Sequence, residues 1–300
     1  MTWRDGVHVT GTPIWCDARR RRDVCFASSG DLAGGQHGQL IGTQDTLFLL
    51  GADPRDGHLA VPLRQPFTLG ALRLELIPSG RGVGAAALHV DLGGSSVLYA
   101  GDIRMTPGGY GDLAEARPAD AVVVRATDAV ASPLPAIADT AARLVAWLRD
   151  HLAAGRRPSV RCDSIVDAFE IGLALARADL PLVGAAPLQR LAQIGGPAIG
   201  RAGRAAAVAL QVAPANRPAG PTAIVAQRAS EHDHAGFDAG FCWQTRATRP
   251  ELLAWIESTS ARQIFVTGRP DDAAELAATL GPRARPLTPP LQQQLFRSSS

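Results

Sequence analysis

Residues 72–78 (LRLELIP) alternate between apolar and polar side chains from Leu72 to Leu76, the two-residue period of a half-buried strand. The rest of the first third reads the same way. Residues 6–17 alternate and end in Ile14-Trp15-Cys16, residues 85–92 and 96–100 flank the hairpin signal Gly93-Gly94, and residues 121–125 form a short apolar strand. The middle of the chain changes period. Leu144, Trp147, Leu148 and Leu152 fall at helical spacing within residues 137–154. A strand at 159–163, a helix at 165–178, a strand at 181–184, a short helix at 188–194 and strands at 205–214 and 222–227 follow. Such alternation predicts a parallel sheet with crossover helices. The last sixty residues predict a strand at 237–243, a helix at 250–259 opened by Arg249-Pro250, a strand at 263–267 and a helix at 271–280. Loops are expected at 195–204 and 216–221, and a mobile tail at 297–300. There is no internal repeat.

Composition narrows the chemistry. The chain has 300 residues, 30 basic against 28 acidic, so no strong field steers it to nucleic acid or anionic lipid. All 30 basic residues are arginine, and lysine is absent. That excludes a Walker A phosphate loop, a kinase phosphate grip, Schiff-base and pyridoxal-phosphate enzymes, and a biotin or lipoyl carrier. The four scattered cysteines form no C-x-x-C and read as buried thiols. No apolar run approaches the roughly 18 residues of a membrane span, and the first residues lack the apolar core of a signal peptide. A cytoplasmic protein without membrane contact is expected.

Several motifs need weighing. Gly80-Arg81-Gly82-Val83-Gly84-Ala85, with Asp102 about twenty residues on, matches a dinucleotide fingerprint in letters only, because a strand pattern follows where a helix is required. The run Arg19–Arg22 reads as a solvated turn before it reads as a nucleic-acid contact. His232 and His234, with Glu231 and Asp233, also read as an exposed turn, since a metal would need a further ligand from elsewhere. Arg125 and Thr127 end a buried strand. Asp31 and Asp102 each follow a strand that ends at one rim of the sheet, and two buried carboxylates there require something positive between them.

The order of elements resembles the metallo-beta-lactamase-fold nucleases that carry a beta-CASP insertion. The likeness is nearest to the bacterial DNA-ligase-associated exonucleases, which are similar to messenger-RNA 3′-end-processing factors. It is carried by residues 74–108 (LELIPSGRGVGAAALHVDLGGSSVLYAGDIRMTPG), with support from GVHVTGTPIWCDARRRR, FDAGFCWQTRATRPELLAWI and QIFVTG. The resemblance implies a four-layer αβ/βα sandwich built from residues 1–145 and 240–300, with a Rossmann-like insertion at 146–239. It also implies two zinc ions bridged by a hydroxide that attacks a phosphodiester. The family's H-x-H-x-D-H lies over Ala27, Ser28, Ser29, Gly30, Asp31 and Leu32, so only its aspartate is kept, as Asp31. The histidine of A-G-H is Arg81, the bridging aspartate is kept as Asp102, and the D-H pair reads Thr245-Arg246. The histidine of the last strand end is Gly268, and the acid of E-T-T-F-G is Arg125.

Six histidine positions are therefore lost and none of the chain's seven histidines replaces them. Alanine, leucine and glycine offer no ligand, and arginine stays protonated. The expectation is a catalytically degenerate homologue, a pseudonuclease without cofactor. Arg81 would pair with Asp102 and Arg246 with Asp31 in the vacated site. Function would then come from binding an active nuclease paralogue, a DNA ligase or a helicase in a repair assembly. The rival reading is an active exonuclease or hydrolase with one metal on Asp31, Asp102 and a relocated histidine such as His37. A third is a nucleic-acid-binding module that turns Arg104, Arg125 and Arg156 or Arg157 toward phosphate.

Overall fold

The computed structural model describes residues 1–31, 36–126, 134–203, 206–213, 219–230, 232, 234 and 236–289. Leu32, Thr127, Glu231, Asp233 and the tail at 297–300 lie outside them. The first sixty residues lay down β1 (Thr2–Trp3), β2 (Val7–His8), β3 (Ile14–Cys16), β4 (Val24–Phe26), β5 (Gln39–Gly42), α1 (Gln44–Leu50) and β6 (Leu59–Ala60). These six strands form one sheet in chain order, with the β3–β6 pairings parallel.

The alternating segments come next: β7 (Phe67–Leu69), β8 (Leu72–Pro78), β9 (Ala86–Asp91), β10 (Ser96–Gly101) and β11 (Ala121–Arg125). The β9–β10 hairpin turns at Gly93, whose φ of 79° suits glycine and whose N–H donates to Asp91 Oδ1 at 2.8 Å. A strand, not a helix, follows the glycines at 80–84, so the fingerprint reading fails on geometry.

The chain then enters a third sheet. It runs through α2 (Ile137–Ala153), β12 (Ser159–Cys162), α3 (Ile165–Arg177), β13 (Leu182–Val183), α4 (Ala186–Gln189), β14 (Ile199–Gly200), β15 (Val208–Val212), β16 (Thr222–Ala226) and β17 (Ala239–Cys242). The order is β14-β13-β15-β12-β16-β17, and every pairing is parallel, as the alternation predicted. Residues 188–194 are not one helix, since α4 is followed by a 3₁₀ turn over Arg190–Ile194. Finally α5 (Arg249–Ser258), β18 (Gln263–Thr267), α6 (Pro270–Leu280) and β19 (Ala284–Pro286) return to the second sheet, ordered β19-β18-β11-β10-β9-β8-β7.

The fold is thus mixed α/β, with three sheets and six α-helices among the described residues. Val7, Ile14, Phe26 and Ile41 of the first sheet share a core with Leu74, Leu76, Leu88, Tyr99 and Val123 of the second. Strand alternation sends Ile77, Leu98, Val122 and Val124 to the other face, where Leu252, Trp255 and Ile256 of α5 and Leu276 of α6 cover them. Leu47 of α1 covers Cys25 and Leu40 on the outer face of the first sheet. Each such large apolar side chain contributes roughly 1.5–3 kcal/mol by burial.

The division at 145/146 and 239/240 needs adjusting. It cuts α2, whose Leu144, Val145 and Leu148 pack on the third sheet, and it cuts β17 after Ala239, although the whole of β17 pairs with β16. Helix continuity and strand pairing place the described residues of 137–242 together. Among the described residues no helix is long and apolar enough to cross a membrane.

Candidate functional site

The carboxyl ends of β4, β8, β10, β11 and β18 bring the sequence-selected positions to one region. Ala27 directly follows β4 and is buried. Ser29 Oγ donates to Asp31 Oδ1 at 2.5 Å, fixing that carboxylate. Asp102 follows β10 through Gly101, whose φ is 62° and whose added Cβ would lie 2.6 Å from Ser28 Oγ. Arg81 sits between two glycines after β8. An added Cβ on Gly80 would lie 2.1 Å from the Arg104 carbonyl, so glycine lets the two loops touch.

Arg81 is the centre of the site. It is 1% exposed, Nη2 donates to Asp31 Oδ2 at 3.0 Å, and Nη1 donates to Asp167 Oδ1 at 2.7 Å. Nη2 also donates to Ser164 Oγ at 3.2 Å. Arg246 Nε lies 3.0 Å from Asp102 Oδ2, and Arg125 Nε lies 4.0 Å from Asp102 Oδ1. The guanidinium groups do enter the space between Asp31 and Asp102, but with exchanged partners. Arg81 takes Asp31 and Arg246 takes Asp102, because Arg81 reaches across to α3 and leaves Asp102 to the segment after β17.

Burial alone would lower the Arg81 pKa. Asp167, Asp31 and Asp102 more than reverse this, so its charge is fixed. Burial alone would likewise raise Asp102, yet Arg246, Arg125 and Arg81 hold it down at about 2. Asp167 is also held below the usual carboxylate range, with burial opposed by Arg81 and Arg246. The site is a cluster of compensating buried charges.

Two members were not foreseen. Asp167 and Glu170 stand one turn apart on α3, 3% and 4% exposed. Their signal was present, since acidic residues inside the apolar helix IVDAFEIGLALAR need buried partners. Ser164 caps α3 by accepting from the Asp167 N–H at 3.2 Å, and its hydroxyl donates to Asp167 Oδ2 at 2.8 Å. Ser164→Ala should cost about 1 kcal/mol, the usual loss of an N-cap, read as a lower urea midpoint.

Arg104 does not face phosphate. It is 1% exposed, its Nη2 pairs with Glu170 Oε2 at 2.8 Å, and it donates to the carbonyls of Gly80 and Gln244. Trp243 Nε1 donates to the same Glu170 at 3.2 Å. Arg156 and Arg157 are exposed but precede β12, at the end of the parallel sheet opposite Ser164. They cannot join Arg104 around one ligand.

Arg246 is positioned through its backbone. Gln227 Oε1 accepts from the N–H groups of Thr245 at 3.1 Å and Arg246 at 2.8 Å. Glu251 accepts from the Thr248 N–H, the Gln244 side chain and Thr106 Oγ1, tying the start of α5 to the loop after β10. Gly268 follows β18 with φ 122° and offers no side chain.

His37 is buried with Nδ1 accepting from the Arg22 N–H at 3.2 Å. Asp17, also unforeseen, accepts from Ser28 N–H at 2.8 Å, Ser28 Oγ at 2.6 Å and Tyr99 Oη at 2.8 Å. Burial still pushes its carboxyl above the usual range, against those hydrogen bonds. Among the described residues no group of three or more histidine, cysteine, aspartate or glutamate side chains is placed to hold a metal.

No protein-family model matches the chain, and no curated protein matches it by sequence. A solved structure, of a protein of unknown function from Enterococcus faecalis V583, is similar in fold. Its TM-score is 0.58 at 12% identity, over 89% of this chain and 79% of that one.

Proposed function

We propose that the chain is a catalytically degenerate relative of the metallo-beta-lactamase-fold nucleases with a beta-CASP insertion, acting by binding. Two facing sheets with helices on their outer faces suit the four-layer αβ/βα sandwich of that class. A parallel sheet inserted between β11 and α5 suits its Rossmann-like insertion.

One observation carries the functional reading. Arg81 and Arg246 hold, as ion pairs, the two aspartates that a metal pair would need. The donor set does not fit a zinc pair. Ala27, Ser29 and Gly268 supply no imidazole, and the two arginines are permanent cations. A metal on Asp31 and Asp102 would have to displace buried guanidinium groups and leave Asp167 uncompensated, which weighs equally against the single-metal exonuclease. The partner in this reading is an active nuclease paralogue, a DNA ligase or a helicase, with nucleic acid reached through that assembly.

Metal analysis of the purified protein and an exonuclease assay with manganese and with zinc test it together. Substoichiometric metal and no turnover are expected. Stoichiometric metal with turnover would restore the enzyme reading.

A further inference from the structure

We propose that Arg125 anchors a second site, a cleft that takes a small molecule through a terminal phosphate. The cleft has a volume of about 460 Å³ and opens between the first and second sheets. Trp3, Asp17, Tyr99, Arg19, Arg125 and Arg269 are among its lining residues. That volume is in the range of small-molecule pockets.

Arg125 is the unusual member. Its side chain is 22% exposed, and among the described residues it donates no hydrogen bond. Its nearest carboxylate oxygen, Asp102 Oδ1, is 4.0 Å from Nε, beyond hydrogen-bond reach. Its ion pair with Asp102 leaves the guanidinium N–H fork without a hydrogen-bond acceptor among the described residues and partly open to the cleft, and such a fork matches a phosphate. Arg104 and both Nη groups of Arg81, by contrast, donate to protein acceptors.

The carboxylates near the cleft are otherwise engaged. Asp17 accepts hydrogen bonds from Ser28 and Tyr99, and Asp5 pairs with Arg20 at 2.9 Å. Arg19 and Arg269 are exposed at the same cleft, adding cationic charge at its rim. Three arginines around one opening favour a dianion over a monoanion. Gly268 beside them leaves backbone where a side chain would narrow the opening.

The test is calorimetric titration of the full chain with inorganic phosphate at constant ionic strength, with acetate as the monoanion control. Saturable phosphate binding with Kd near or below ~1 mM is expected, with acetate clearly weaker. Arg125→Gln should weaken phosphate at least ~10-fold with circular dichroism unchanged. Should that variant misfold, Arg19→Gln combined with Arg269→Gln, both exposed, should still weaken it several-fold. Absence of saturable phosphate binding, phosphate affinity unaltered in folded Arg125→Gln, or acetate binding as tightly as phosphate would overturn the site. Metal content and nuclease activity have no bearing on this cleft, so the two experiments fail independently.

Discussion

Replacing Arg81 by leucine should destabilise the protein by about 3–5 kcal/mol, the cost of breaking a buried ion pair from one side. Asp31 and Asp167 would remain in place with their shared cation gone, and Asp167 is almost fully enclosed. Urea unfolding measures the loss, and an unchanged m-value would show that the unfolded reference is the same. The double variant Arg81→Leu with Asp167→Leu should recover a good part of that loss, because buried pairs replaced by apolar groups are often neutral or better. An Arg81→Leu protein as stable as the parent would mean that water reaches these carboxylates. The charge cluster would then be hydrated and not a closed set of compensating buried charges.

Acid should expose the same cluster by a different route. Asp102 has a folded-state pKa of about 2, below its ordinary value of about 3.9, and Asp167 is lowered too. A carboxylate depressed by folding stabilises above the unfolded pKa, and the contribution is lost as pH falls toward the folded one. Stability should therefore hold from pH 7 to about 5 and fall steeply between about 5 and 2. Asp102 alone accounts for roughly 2–3 kcal/mol of that fall. Asp17 pulls the other way, since its raised pKa means that ionising it opposes folding. Asp102→Asn should be less stable at neutral pH, with Arg246 and Arg125 left facing an amide. It should also show a shallower acid limb in denaturant midpoints measured across pH.

Local periodicity was legible where strands are half-buried. LRLELIP forms β8 over its full length, and the apolar run at 121–125 forms β11. The helix α1 was not read, because Leu47, Phe48, Leu49 and Leu50 form an unbroken apolar run whose period is ambiguous among strands. Its N-cap signal was there in Thr43, whose side chain accepts from the Thr46 N–H. The site was half legible. Asp31, Arg81, Asp102 and Arg246 converge, but their pairing was inverted. Partner choice depends on Asp167, which lies 86 residues beyond Arg81 on another element, and no local spacing encodes that contact. The surroundings of Arg104 escape local spacing for the same reason. Its acceptor Glu170 comes from α3 and Gln244 from the segment after β17, so a residue that looks exposed in sequence is sealed by two distant ones.

The reach of α3 has a consequence for how the molecule can be divided. Arg81 and Arg104 stand on loops of the second sheet, while their acids, Asp167 and Glu170, stand on a helix of the third. Excising the third sheet would leave Arg81 with Asp31 alone and Arg104 with no acid, and would leave Asp167 and Glu170 in the other fragment without their arginines. The parts are therefore not interchangeable modules. A graft of the third sheet and its helices onto another scaffold would carry an unanswered acidic helix face with it.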